Sequence, residues 1–119
     1  MKKIGIVGTR RRDEQIDLAL VIKHFFEIYQ EGDEIVSGGC PKGADRFAEI
    51  IAKRFGIPIK IYYPNWDKFG RAAGLMRNGK IAVEADLIIA MVALDRTGGT
   101  EDTIRKAKKL DKKVIIIGD

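Results

Sequence analysis

Cysteine is almost missing from this chain of 119 residues: Cys40 stands alone. No intrachain disulfide can form, and one thiol cannot build a structural zinc site. That usage fits a reducing compartment, so the cytoplasm is the expected location. Histidine is as scarce, with His24 the sole example. It falls mid-helix without a partner in sequence and reads as a surface or boundary residue. Long apolar runs are lacking too. None approaches the ~20 residues a membrane helix requires. The opening Met1-Lys2-Lys3-Ile4-Gly5-Ile6-Val7 has too short an apolar run for a secretory signal. No G-x-x-x-x-G-K-[ST] occurs, which excludes an ordinary P-loop. The first strand ends Gly5-Ile6-Val7-Gly8 rather than in G-x-G-x-x-G. Ser37 stands where a dinucleotide site usually offers a carboxylate to ribose. Redox use of a dinucleotide is therefore not expected, and neither is a metal or another cofactor.

What is present fits one domain. The net charge of +5 favours anionic partners without demanding nucleic acid. Lysines such as Lys106, Lys108 and Lys109 read as a solvated helix face. Short apolar runs alternate with helical patterns. Strands are expected over 3–7, 34–37, 57–63, 86–93 and 113–117. Helices are expected over 13–30, 44–55, 74–84 and 100–111, stopped by Gly32 after the first and Gly56 after the second. Residues 64–74 read as a loop. This alternation implies a three-layer α/β sandwich, Rossmann-like, on a five-stranded parallel sheet. Pro58 cannot donate to a ladder and puts the third strand at an edge, which the order 3-2-1-4-5 satisfies. The fifth strand is apolar for an opposite edge, and a homodimer covering it is the expectation.

In such a sheet ligands bind beyond the carboxyl ends of the strands, where the winding reverses. The unusual residues lie in the loops at that edge. After the first strand comes Gly8-Thr9-Arg10-Arg11-Arg12, with a tight turn, a hydroxyl and guanidinium groups that either reach a phosphate or stay solvated. After the second comes Ser37-Gly38-Gly39-Cys40-Pro41-Lys42-Gly43-Ala44-Asp45. Its glycines let backbone approach a ligand, and the helix it opens favours an anion. Asp45 reads equally as a helix cap or as an acceptor for ribose hydroxyls. Cys40 reads as a small packing residue, because no histidine is placed to activate it. After the fourth strand comes Gly98-Gly99-Thr100-Glu101, a second glycine pair at a helix entrance. Two such entrances aimed at one crevice are the main argument for an anion site. Trp66 and Phe69 are expected to seal the 64–74 loop onto the core rather than to stack on a base.

The stretch 37–45, then Pro64-Asn65-Trp66-Asp67, Gly70-Arg71-Ala72-Ala73-Gly74-Leu75-Met76-Arg77-Asn78 and Gly99-Thr100 together resemble the YspA/cpYpsA-related branch of the SLOG superfamily. The likeness runs over nearly the whole chain. It implies a Rossmann-like fold and a nucleotide or nucleotide-derived ligand. The wider superfamily includes the cytokinin-activating phosphoribohydrolases and the DNA-processing protein A family. The phosphoribohydrolases carry an arginine in R-K-x-x-M, and Arg77-Asn78-Gly79-Lys80-Ile81 is similar to that motif. Arg77 is thereby implied as a contact for the ligand's phosphate or glycosidic end. Their P-G-G-x-G-T-x-x-E is matched less well: Gly99-Thr100-Glu101-Asp102-Thr103 puts threonine at the catalytic glutamate. Glu101 or Asp102 would point about 100° away for each residue of shift on a helix.

The leading expectation is a module that binds or senses a nucleotide-derived molecule. Its phosphate would rest on Gly38–Gly43 and Gly98–Thr100, with Arg10 and Arg77 neutralising charge and Asp45 holding ribose. A nucleotide N-glycosidase is the alternative, drawing its carboxylate from Asp45, Glu101 or Asp102. Single-stranded nucleic-acid binding ranks third, because the aromatic residues look mostly internal.

Overall fold

The computed structural model describes residues 1–118. Five strands, β1 (Lys3–Gly8), β2 (Glu34–Ser37), β3 (Ile59–Ile61), β4 (Leu87–Met91) and β5 (Lys113–Ile117), form one sheet in the order β3-β2-β1-β4-β5. Every neighbouring pair is parallel. The connecting helices are α1 (Gln15–Ile28), α2 (Ala44–Phe55), α3 (Trp66–Phe69), α4 (Ala72–Glu84) and α5 (Gly99–Lys109).

The period of two along the strands divides the core into two layers. Ile4, Ile6, Ile35, Ile89 and Met91 meet Leu18, Val21 and Phe25 of α1 and Phe47, Ala48 and Ile51 of α2. Val7, Val36, Ile88 and Ala90 point to the other face, against Ile81 and Ala82 of α4 and Ile104 and Ala107 of α5. The three-layer sandwich and strand order expected from the sequence are therefore those observed. β3, after Pro58, is an edge strand as anticipated.

Several boundaries differ. The first helix ends at Ile28, four residues before Gly32, because Tyr29 is already extended (ψ 135°). Gly32 instead supplies φ +94° in the turn leading to β2. Residues 64–74 are not all loop: Asn65 accepts from the amide of Lys68 at 3.1 Å and caps the short α3. Gly56, with φ +67°, does terminate α2 as read.

Gly8 closes β1 at the carboxyl edge, and its role there is close packing. A Cβ at this position would lie 2.7 Å from Cβ of Ala44 and 2.9 Å from the carbonyl oxygen of Met91. The first turn of α2 thus rests directly on the end of the central strand. Gly8→Ala is expected to destabilise the fold by about 1–3 kcal/mol, the usual cost of overpacking. Urea denaturation should show a lower midpoint at unchanged m-value.

Candidate functional site

At the carboxyl edge the chain departs from β1 toward β2 on one side and from β4 toward β5 on the other. The loops diverge and leave an open cleft of about 610 Å³. Its walls come from the end of β1, the loops after β2 and β4, the inner side of α4, and Tyr63 to Trp66 after β3.

Most of the residues singled out in the sequence meet here. Gly8, Thr9, Arg10, Gly38, Gly39, Asp45, Arg77, Asn78, Gly98, Gly99 and Thr100 all line the cleft. Ser37, Lys42 and Gly43 do not. Ser37 is buried beneath the site, with its hydroxyl 3.4 Å from Asp45 Oδ1. Lys42 is exposed outside it. Gly43 is consumed by the fold: its amide donates to Asp13 Oδ1 at 2.8 Å, and Arg46 Nε reaches the same oxygen at 2.8 Å. Its φ of +75° and contact with the Thr9 carbonyl leave no room for a side chain.

The two glycine-rich helix entrances are therefore unequal. At α2 the Gly43 amide is already engaged by Asp13, so that part of the cradle expected over Gly38–Gly43 is closed to a ligand. Asp45 Oδ2 accepts from the amide of Cys40 at 3.0 Å, and the Gly38 amide also reaches this carboxylate. At α5 the helix opens after Gly98, whose φ of +106° turns the chain into the first turn. The amides of Gly99 and Thr100 have no acceptor among the described residues. These open amides and the helix dipole favour an anion at this end of the cleft.

Arg77 projects from α4 across the cleft floor. Its Nη1 donates to the Gly38 carbonyl at 2.5 Å and its Nε to Asn78 Oδ1 at 3.0 Å. Asn78 in turn donates to Asp102 Oδ2 at 3.2 Å and to the Gly99 carbonyl at 3.2 Å. One chain of hydrogen bonds thus links the β2 loop, α4 and the start of α5. Gly38 must be glycine for this, since a Cβ would lie 2.5 Å from Arg77 Nη1 and 2.9 Å from Asp45 Oδ2.

The three arginines after β1 have separate fates. Arg11 forms a bidentate pair with Asp95 at 2.9 and 2.8 Å, tying the β1 loop to the β4 loop. That pairing, reinforced by Thr97, holds the Asp95 carboxyl well below the usual range. Arg12 bonds Asp17 and the carbonyl of Gly118. Arg10 is exposed at the cleft and has no hydrogen-bond partner among the described residues.

The candidate carboxylates also separate. Glu101 lies outside the cleft in a bidentate pair with Arg96 at 2.9 and 3.0 Å. Asp102 is held by Lys106, Asn78 and Arg105, and these donors outweigh its burial to keep its carboxyl below the usual range. Asp45 is the one carboxylate among the described residues that lines the cleft. Burial pushes its pKa up, opposed by the amide of Cys40, the charge of Arg77, the hydroxyl of Ser37 and the amide of Gly38.

The aromatic expectation is also corrected. Trp66 and Phe69 are not sealed onto the core; they are 58% and 37% exposed, and Trp66 stands on the cleft rim with Tyr63, 67% exposed. Phe26 and Phe55 are partly exposed as well, so the aromatic residues are not mostly internal. α3 is too short to bury a face, and none of its residues is buried. Tyr63 was hidden by the strand expected over 57–63: β3 ends at Ile61, so Tyr63 belongs to the loop at the carboxyl edge.

Because Arg77 favours the ionised form of Asp45, Arg77→Met is expected to move the Asp45 titration further upward. A carboxylic acid whose folded pKa is raised loses its contribution to stability as pH rises from the ordinary carboxylate range through that raised value. The variant should therefore lose stability over a wider pH interval than the parent. Carboxyl ¹³C titration by NMR reads the first effect directly, and an unchanged or lowered Asp45 midpoint would contradict the geometry.

No protein-family model and no solved structure matches the chain. The Gene 61 protein of Mycobacterium phage D29 is similar to it, with 27% identity over 125 residues spanning all of this chain and 98% of that protein.

Proposed function

We propose that this chain is a SLOG-type module of the YspA/cpYpsA-related branch that binds a nucleotide-derived small molecule in the cleft. The observation that carries this reading is the mixed lining of the cleft. It combines the open amides of Gly99 and Thr100, the exposed Arg10 and the guanidinium of Arg77 with the exposed rings of Tyr63 and Trp66. An anionic group suits the donors and a planar base the rings. Asp45 also lines the cleft and, as a carboxylate, can accept a sugar hydroxyl. A volume of about 610 Å³ falls within the range of small-molecule sites.

Hydrolysis of the N-glycosidic bond is a second reading, and it rests on Asp45. With Glu101 paired to Arg96 and Asp102 to Lys106, no other candidate carboxylate faces the cleft. A raised pKa suits a general acid, yet Asp45 also anchors the Gly38–Cys40 backbone. The anchoring role explains each of its contacts without a reaction, so binding is favoured over turnover.

Trp66 is the sole tryptophan, so its fluorescence reports on the cleft rim. Titration with nucleoside monophosphates, ADP-ribose and cyclic nucleotides is expected to change its emission saturably. Arg10→Ala should weaken binding by roughly tenfold or more, the scale of one lost charge-assisted hydrogen bond. Chromatography of the same mixtures would reveal base release if the glycosidase reading holds. A response confined to oligonucleotides, with steep salt dependence, would instead indicate single-stranded nucleic acid. Absence of any response at millimolar ligand would sink the proposal.

A further inference from the structure

Asn78 and Asp102 join α4 to α5 through polar groups that are almost fully buried: Asn78 is 7% exposed and Asp102 9%. Burying a carboxylate is costly, and an apolar pair can hold two helices at least as well. Packing alone therefore does not account for them. The direction of their hydrogen bonds supplies a reason. The NH2 group of Asn78 donates to Asp102 Oδ2 and to the Gly99 carbonyl, each at 3.2 Å. Lys106 Nζ and Arg105 Nη2 reach Asp102 at 2.8 and 3.1 Å. Against the effect of burial, its donors hold the Asp102 carboxyl below the usual range, so it stays ionised at neutral pH. A carboxylate and a carbonyl can only accept. The Asn78 amide consequently has one orientation open to it, with NH2 toward α5 and Oδ1 toward Arg77. Arg77 Nε meets that oxygen at 3.0 Å. Successive residues on a helix point about 100° apart, so the arginine must bend back to make this contact.

We propose that Asp102 is a positioning residue for the ligand anion, acting through the Asn78 amide on the Arg77 guanidinium. The inference rests on the binding reading above and gives Asp102 a part in it without contact to the ligand, since Asp102 does not line the cleft. A free arginine loses much rotamer entropy when it grips an anion. Here two bonds, from Nε to Asn78 and from Nη1 to the Gly38 carbonyl, fix the guanidinium plane before any ligand arrives. Its remaining N–H groups have no acceptor among the described residues, and Arg77 lines the cleft. The same Asn78 amide holds the Gly99 carbonyl, so one side chain sets the guanidinium relative to the open amides of Gly99 and Thr100. An anion then meets both donor sets already in place, which is how a supporting shell raises affinity.

The test joins one readout without ligand to one with it. In the full chain the Arg77 Nε–H resonance, assigned by its loss in Arg77→Lys, is expected to exchange slowly with water by NMR. Asp102→Leu and Asn78→Leu are near-isosteric and cut the link from its two ends. Each should speed that exchange by roughly fivefold or more, the scale of one hydrogen bond. Asp102→Asn keeps an accepting oxygen and should retain slow exchange. Binding is read by isothermal titration calorimetry, with adenosine 5′-monophosphate and ADP-ribose as probes. Asp102→Leu should weaken the bound probe by roughly threefold to tenfold, the scale of ordering one side chain. In an Arg77→Met background the same change should cost less than about twofold, whereas a merely structural role would cost the same in both. Circular dichroism checks the fold, and Asn78→Leu carries both readouts if Asp102→Leu does not fold. An Nε–H that exchanges fast in the parent, or is indifferent to the leucine variants, would overturn the proposal whatever the probes do. So would equal losses of affinity in the two backgrounds. A parent that binds neither probe while its Nε–H stays protected would sink the binding reading and the positioning role with it. The ligand-free signal keeps these two failures apart.

Discussion

The reversal of winding at β1 is the constraint on which the rest of this molecule depends. The chain builds outward from β1 through β2 to β3, then crosses back to place β4 on the other flank. Right-handed crossovers then put α1 and α2 on one face and α4 and α5 on the other. The loops leaving β1 and β4 must part company, and the cleft is the space between them. Gly8 is the point where this is tightest, because the start of α2 and the end of β4 both press on it.

Within the cleft the polar groups divide into those spent on the fold and those left over. The Asp45 carboxylate is partly committed: its Oδ2 accepts from the amide of Cys40 at 3.0 Å in a largely buried setting. An unpaired carboxylate there would be costly, and so would the amides it satisfies. Asp13 does the same for Gly43 at the α2 entrance, and Asp95 engages Arg11. What remains includes the open amides at the start of α5, Arg10, and the outer part of Arg77. That remainder has positive character, which is why an anionic ligand is the natural complement.

Arg77 and Asn78 couple this site to the rest of α4. The same helix carries the cleft-facing cation on one side and an apolar stripe on the opposite side, with the core-facing Ala73 and Ile81 between them. The hydrogen bonds from Arg77 to Gly38 and from Asn78 to Gly99 make the placement of that cation rigid rather than approximate.

The sequence by itself determined the layer architecture, because it rests on local periodicity and on short-range signals. Apolar runs such as Ile88–Ala90 mark strands buried on both sides, Pro58 marks an edge, and Gly56 ends a helix. It also brought most cleft residues to one edge, since that edge follows from strand polarity alone. The occupancy of each donor was decided only by the tertiary structure. Both glycine-rich entrances look alike as strings, yet Asp13, 30 residues before Gly43, takes an amide at one of them, while Gly99 and Thr100 have no acceptor among the described residues. The pairing of Glu101 with Arg96 and the exposure of Trp66 were equally out of reach. Which oxygen meets which N–H, and which ring meets solvent, depends on distances between segments far apart in the chain, and periodicity carries no information about those.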